Sequence, residues 1–339
     1  MFKRYNIAVV GAKGLVGSEM IKCLGKSNIP IDQLRLLDIK EYEKEVLKLN
    51  NSEYKILESK PENFIGIDIA FFAVSKDVSL ELSPIAVSKG ALVIDNSVAF
   101  RMDPECPLVI PEVNPDDVEW HKGIIANPNC STIQMLVALK PIHDYANIKR
   151  IVVSTYQAVS GSGKIAIEGL LEETKACLRN NLVSSPMVYK YPIAFNCIPQ
   201  IDIFEEDGFT FEERKMINET KKILHNNDIE VNPTCVRVPV IYGHSESVNI
   251  ETEKHITREK AMELLNNAKG VEVIDDINHE IYPHPYDSKN KDITMVGRIR
   301  DDKTVKNGLN MWIVSNNIRK GAALNAVQIA ELAIDKGLI

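Results

Sequence analysis

A glycine-rich stretch, Gly11-Ala12-Lys13-Gly14-Leu15-Val16-Gly17, joins an apolar run at residues 6–10 to a helical pattern at residues 15–24. Such a turn lets the backbone approach a pyrophosphate, whose charge the following helix N-terminus stabilises. Any tight strand-to-helix turn selects glycine for geometry alone, so the setting decides its meaning. Here the turn opens a strand–helix–strand series, the context in which it reads as a nucleotide-binding element. Apolar runs at residues 33–37, 67–74 and 91–94 read as buried strands, and residues 76–89 as a helix with Ser75 as N-cap candidate. Gly25 and Gly90 are placed to stop the two helices. The alternation predicts an α/β fold with a Rossmann-type, doubly wound parallel sheet, to which residues 123–126 add a strand.

Asp38 closes the second strand roughly 20 residues beyond the turn, where an acid accepts hydrogen bonds from the adenosine ribose hydroxyls and favours NAD. The same residue also reads as a solvated carboxylate beside Lys40, and the position takes a 2′-phosphate if Lys40 or Lys44 swings over it.

From residue 131 the pattern changes. A helix is expected to residue 146, with Pro141 kinking or ending its main part. An apolar strand follows at residues 148–159, and Thr210 with Glu213 forms a capping box for a helix to about residue 224. Strand patterns at residues 234–240, 247–252, 292–299 and 309–314 predict a more antiparallel, α+β second domain. Residues 322–336 form an amphipathic tail with Leu324, Val327, Ala330 and Ile334 on one stripe.

A chain of 339 residues has length for about two domains. Its 45% hydrophobic and 26% charged residues exclude disordered and disulfide-scaffold classes. The net charge of −7, without a long basic run, argues against nucleic-acid and anionic-membrane partners. An anionic ligand would need a few placed Arg and Lys residues. No run is long enough for a membrane span, and the first apolar run is too short for a signal-peptide core. The six cysteines include no C-x-x-C pair, so a reducing, cytoplasmic setting with free thiols is expected and no metal site is. His279 and His284, in a Pro-containing stretch, read as loop residues.

One cysteine stands apart. Cys130 lies in Asn127-Pro128-Asn129-Cys130-Ser131-Thr132, between a strand and a helix start. The positive end of the helix dipole favours its thiolate, and nearby N–H groups offer an oxyanion site. A free cysteine is more often a small buried hydrophobe, which suits Cys23 and Cys177 on helix patterns; Cys106, Cys197 and Cys235 are also read as structural. A nucleophilic cysteine in a chain with a dinucleotide turn points to thioester chemistry on an aldehyde.

These motifs, with Asp95-Asn96-Ser97, Phe100-Arg101, residues 154–161 around Gln157, Glu212-x-x-Lys215, Arg237-Val238-Pro239-Val240, His244 and Gly321-Ala322-Ala323-Leu324-Asn325, stand in the order of a known family. Over nearly its whole length the chain resembles the aspartate-β-semialdehyde dehydrogenases. The resemblance implies NADPH-dependent reduction of L-4-aspartyl phosphate to the semialdehyde and phosphate, in lysine, threonine, methionine and isoleucine (and diaminopimelate) biosynthesis, by a homodimer or homotetramer. It implies a dinucleotide-binding domain of residues 1–129 and 320–339 and a catalytic and dimerisation domain of residues 130–319.

Carried over, Cys130 is the nucleophile, His244 an acid/base of near-neutral pKa, and Gln157 orients the substrate. Arg237 pairs with the substrate α-carboxylate and Glu212 with its amine, while Lys215, Arg101 and Asn129 hold phosphate. The cofactor falls to Gly11, Lys13, Gly14, Leu15, Val16, Gly17, Asp38, Asn96, Ser160, Gly161 and Asn317. Without the resemblance, Glu212 and Lys215 read as a surface ion pair, Gln157 and Arg237 as ordinary strand residues and His244 as a surface histidine. The chain departs from the family at Lys13, which replaces the usual Thr, at Ala73-Val74-Ser75, which replaces a more glycine-rich turn, and at Leu37-Asp38-Ile39-Lys40, which lacks a Ser/Arg pattern for a 2′-phosphate. NADP is the family expectation and Asp38 keeps NAD open. The rival readings are an N-acetyl-γ-glutamyl-phosphate reductase and a non-catalytic nucleotide-binding paralogue.

Overall fold

The computed structural model describes residues 3–49, 52–179 and 186–339. The chain forms two compact units, Met1–Pro128 with Ala322–Ile339, and Asn129–Gly321. The first unit contains β1 (Tyr5–Val10), α1 (Leu15–Leu24), β2 (Ile31–Asp38), β3 (Val46–Leu49), β4 (Ser52–Glu58), β5 (Ile69–Phe72), α2 (Lys76–Ser88), β6 (Leu92–Asp95) and β7 (Ile124–Ala126). Among the described residues its strands form one seven-stranded sheet in the order β3-β4-β2-β1-β5-β6-β7. All neighbours are parallel except β3 and β4.

Strand β1 shows why the first apolar run is continuous rather than alternating. Ile7 and Val9 enter one buried cluster with Met20 and Leu24 of α1, while Ala8 and Val10 enter another with Leu82 and Ala86 of α2. A strand covered on both faces needs apolar residues at every position. The glycine turn is sterically tight. Gly11 has φ +80°, and a Cβ there would stand 2.4 Å from the Ala73 carbonyl oxygen. A Cβ at Gly17 would stand 2.0 Å from the Gly11 carbonyl oxygen, so α1 packs directly on the turn that precedes it.

The second unit contains α3 (Cys130–Ala146), β8 (Ile148–Gln157), α4 (Lys164–Leu178), α5 (Phe211–Ile223), β9 (Glu230–Arg237), β10 (His244–Thr252), α6 (Arg258–Asn266), β11 (Val271–Val273), β12 (Thr294–Asp302) and β13 (Gly308–Ser315). Helix α3 runs through Pro141 instead of ending there, and its last turns stay anchored by buried Ile142 and Ala146. The sheet has the order β11-β12-β13-β10-β8-β9 among the described residues. Its centre is antiparallel, but β8 with β9 and β11 with β12 are parallel. The long connection carrying α4 and α5 supplies the crossover that a parallel β8–β9 pair requires. Strand β8 stops at Gln157, two residues short of the sequence expectation. There Val159 N–H turns to the Val240 carbonyl at 2.8 Å and residues Val159–Ser162 coil into a short 3-10 turn. The predicted capping box is present: Glu213 N–H donates to Thr210 Oγ1, and Thr210 N–H to the Glu213 carboxylate at 2.7 Å.

Helix α7 (Leu324–Asp335) belongs to the first unit. Val327 and Ala330 of the predicted stripe are fully buried, and Ala326, Ile329 and Ala333 widen the face that packs against the α1 cluster. Asn325 Nδ2 donates to Asn127 Oδ1 at 2.7 Å and to the Val109 carbonyl at 3.1 Å. No described helix is long and apolar enough to cross a membrane.

Candidate active site

The sheet of the second unit brings three distant segments to one end. Gln157 closes β8 opposite Arg237, which closes the parallel strand β9, and His244 opens the neighbouring strand β10. Helix α3 presents Cys130 as its first residue, and the first turn of α5 presents Glu212 and Lys215. These residues and Asn129 line a cavity of about 280 Å³, together with Gly161, Ser162, Ile201 and Asp202. Seven of the eight residues expected to contact substrate therefore share one space.

Cys130 is half-buried at the N-terminus of the 17-residue α3, the end that favours negative charge. A Cβ at Gly321 would stand 2.8 Å from Cys130 Cβ, so backbone presses closely against the thiol-bearing residue. Its neighbour Asn129 occupies the N-cap position without capping the helix. Instead, Asn129 Nδ2 donates to Glu212 Oε1 at 2.8 Å.

Glu212 is the hub of the cavity floor. Its Oε1 also accepts from Gln157 Nε2 at 2.8 Å and from Ser131 Oγ at 3.3 Å, and its Oε2 faces Lys215 Nζ at 2.8 Å. Burial pushes the carboxyl pKa up, but the Lys215 charge and the hydrogen bonds from Gln157, Lys215 and Asn129 outweigh it and hold the group well below the ordinary range. It is a buried carboxylate, not a member of a surface pair. Lys215 also reaches Asp202 at 3.1 Å. Asn129 and Lys215, expected at phosphate, are thus engaged with carboxylates in this structure.

Arg237 is buried; its Nη1 donates to the Ala158 carbonyl at 2.8 Å, and the guanidinium lies 5.8 Å from the Tyr189 ring centroid. Its Nε has no protein partner. His244 is equally buried, and its Nδ1 accepts the Ala158 N–H at 3.0 Å. A neutral ring therefore carries its proton on Nε2, the nitrogen left without a partner. Burial and then the Arg237 charge push the His244 pKa down to about 3, against a smaller opposing pull from Glu212. The near-neutral pKa expected from sequence is displaced because sequence shows neither the burial nor the guanidinium. Gly161 lies between these two side chains: a Cβ there would meet Arg237 Nη1 at 3.0 Å and His244 Nε2 at 3.7 Å.

The remaining predicted residues divide between the units. In the first unit, buried Arg101 donates from Nε to the Ser97 carbonyl and from Nη2 to the Asn96 carbonyl, both at 3.0 Å. Asn96 Oδ1 accepts from Asn127 Nδ2 at 2.6 Å. Gly14, Leu15 and Val16 form the start of α1, which no side chain caps, so its first N–H groups suit an anionic ligand. With the close-packed Gly11 and Gly17, this turn fits a dinucleotide pyrophosphate. Asp38 accepts from the Lys13 N–H at 2.7 Å. In the second unit, Ser160 and Asn317 are hydrogen-bonded to each other, and Asn317 Oδ1 also accepts from Gly243 N–H at 3.0 Å. His279 faces Asp276 and His284 faces Asp287, as exposed loop pairs. Among the described residues no cluster of three or more His, Cys, Asp or Glu is arranged around a metal position.

Sequence reasoning did not single out Asp202, Ser162, Ile201 or the Ala158 backbone. Ala158 merely follows Gln157 in the chain, and nothing local marks Asp202, whose role arises only when its loop meets α5.

Known proteins resemble the chain along its full length. Residues 6–121 match the family model for the semialdehyde dehydrogenase NAD binding domain, and residues 139–320 that for the semialdehyde dehydrogenase dimerisation domain. The aspartate-semialdehyde dehydrogenase of Aquifex aeolicus is 53% identical, with 99% of each chain covered. That of Bacillus subtilis is 48% identical, with 98% of each covered. Among solved structures, aspartate semialdehyde dehydrogenase II of Vibrio cholerae complexed with ASA superposes with a TM-score of 0.95 at 43% identity, covering 98% of this chain and 99% of that one.

Proposed function

The chain belongs to the aspartate-semialdehyde dehydrogenase family, and on that premise we propose that it reduces L-4-aspartyl phosphate to L-aspartate 4-semialdehyde and phosphate in amino-acid biosynthesis. The observation that carries this reading is the single cavity in which Cys130, Gln157, Glu212, Lys215, Arg237 and His244 converge. A nicotinamide dinucleotide, held by the glycine turn of the first unit, supplies the hydride when bound.

Cys130 attacks the acyl phosphate carbon; the carbon–oxygen bond to phosphate breaks and a thioester forms. Arg237 presents a planar pair of donors to the substrate α-carboxylate, and Glu212 offers its carboxylate to the α-amine. Gln157 is fixed by Glu212 and Ser131, so its amide holds one orientation against the substrate. Lys215, Asn129 and Arg101 are assigned to phosphate. The Nε2–H of His244 serves the oxygen of the tetrahedral species, and the thiolate leaves as the aldehyde forms. With Nδ1 accepting the Ala158 N–H, neutral His244 acts on the substrate as a hydrogen-bond donor through Nε2.

The six cysteines, all present as thiols, support a reducing, cytoplasmic setting. The dimerisation-domain match supports a homodimer, and a homotetramer is the alternative assembly. The test is the reverse reaction, followed as phosphate-dependent cofactor reduction with L-aspartate 4-semialdehyde or N-acetyl-glutamate 5-semialdehyde, using NAD and NADP in parallel. Turnover of the first aldehyde alone is expected. A preference for the acetylated one, or phosphate-independent turnover, refutes the assignment.

A further inference from the structure

We propose that the adenosine end of the first unit is built for NAD rather than its 2′-phosphorylated form, and that Asp38 is the selecting residue. This rests on the reading that the glycine turn holds a nicotinamide dinucleotide.

Asp38 ends β2, the strand beside β1, and so stands next to the turn that β1 feeds. Its carboxylate is not a loose strand-end charge. The residue is 8% exposed, Oδ2 accepts the Lys13 N–H at 2.7 Å, and Oδ1 accepts the Ile39 N–H at 2.9 Å. Each oxygen keeps a further lone pair, enough for the two vicinal hydroxyls of an adenosine ribose. Because one of the two clamping N–H groups belongs to the glycine turn, the acid and the pyrophosphate site are held at a fixed spacing.

The surroundings oppose an added phosphate. Lys13, whose backbone N–H clamps this carboxylate, turns its side chain to other groups: its Nζ pairs with Glu45 and lies 4.4 Å from the Tyr42 ring centroid. Glu41, Glu43 and Glu45 outnumber Lys40 and Lys44 in the segment after β2 and add to the charge of Asp38 itself. Across the sheet, the register partner of Asp38 on β4 is Glu58, whose own cation, Lys60, lies 3.2 Å away. A dianionic 2′-phosphate would meet the fixed carboxylate in a field that is already negative.

The test is isothermal titration of the full chain with NAD+ and with NADP+, for wild type, Asp38→Asn and Asp38→Ser, with melting curves to verify folding. Asp38→Asn keeps the shape and one acceptor oxygen while removing the charge. Wild type is expected to bind NAD+ at least ten-fold tighter than NADP+, and each variant to shift that ratio at least ten-fold toward NADP+. Equal or tighter NADP+ binding by wild type, as would follow if Lys40 or Lys44 gripped the phosphate, overturns the inference alone. So does a ratio unchanged in the folded variants. Binding of neither dinucleotide overturns both the inference and the reading on which it rests. NAD+ selectivity in a chain without semialdehyde turnover supports the inference and refutes the proposed reaction.

Discussion

The Ala158 N–H donates to Nδ1 of His244 at 3.0 Å, while the Ala158 carbonyl accepts from Arg237 Nη1 at 2.8 Å. One peptide segment therefore sets the tautomer of the imidazole and the position of the guanidinium together. Removing the titratable ring should change how the fold responds to acid. The pKa of His244 in the fold is about 3, against an ordinary value of 6.5, so the unfolded chain binds the extra proton between those limits. Stability from this group is complete above 6.5 and lost as pH falls below it, by roughly 1.4 kcal/mol per pH unit. Urea denaturation at pH 7.5, 6 and 5 should show a shallower acid loss for His244→Asn, whose side-chain oxygen can still accept the Ala158 N–H. Parallel curves for the two proteins would contradict a buried, neutral His244 with a lowered pKa.

Replacement of Cys130 by Ala should lower phosphate-dependent cofactor reduction by at least about 10³-fold, the scale on which losing a nucleophile acts. The melting temperature should change little, because the side chain is half-buried and small. Retained turnover would remove the thioester from the mechanism.

Gly161→Ala tests the space between Arg237 and His244. The backbone at Gly161 is not in the left-handed region, so the new methyl group acts by contact, at 3.0 Å from Arg237 Nη1. A rise of about ten-fold in KM for the semialdehyde is expected, the effect of about 1.4 kcal/mol of lost binding. Unchanged KM in a folded variant would place the substrate carboxylate away from Arg237.

Glu246 lies two residues beyond His244 on β10, fully buried, with no hydrogen-bond partner at either oxygen. Burial pushes its pKa well above 4.5; the Glu212 charge adds to this and the nearby Gln134 amide offsets part. A carboxyl raised in the fold contributes stability below 4.5 and loses it as pH rises toward the folded value. Glu246→Gln should therefore be more stable than wild type at pH 9, by at least about 1 kcal/mol, and nearly equal at pH 4.5. Denaturation midpoints at the two pH values measure this, and equal differences at both would contradict a neutral buried acid.

What the sequence made legible follows from where side chains point. Helix α1 was readable to the residue because Met20, Ile21 and Leu24 recur on one face between two glycine signals. The β3–β4 ribbon carries no such signal: of the β4 residues only Ile56 is fully buried, too little apolar content to stand out. Helix α6 escaped for the same reason, burying only Ala261 and Leu265. In the site, motif order named Glu212 and Gln157, but the Glu212 network draws Asn129, Ser131, Gln157 and Lys215 from three separate elements. Its burial, and the low basicity of His244, are properties of the assembled cavity that no local pattern encodes.

The first unit closes only with α7, which comes almost 200 residues after the rest of that unit in the chain. Ala326, Val327, Ile329, Ala330 and Ala333 fill the cluster that also holds Met20 and Leu24. During synthesis the second unit can complete its own sheet while the first still lacks that wall. The apolar residues Met20 and Leu24 of α1 thus lack part of their cover until residues 324–335 have been made, which exposes that surface to misassembly in the nascent chain.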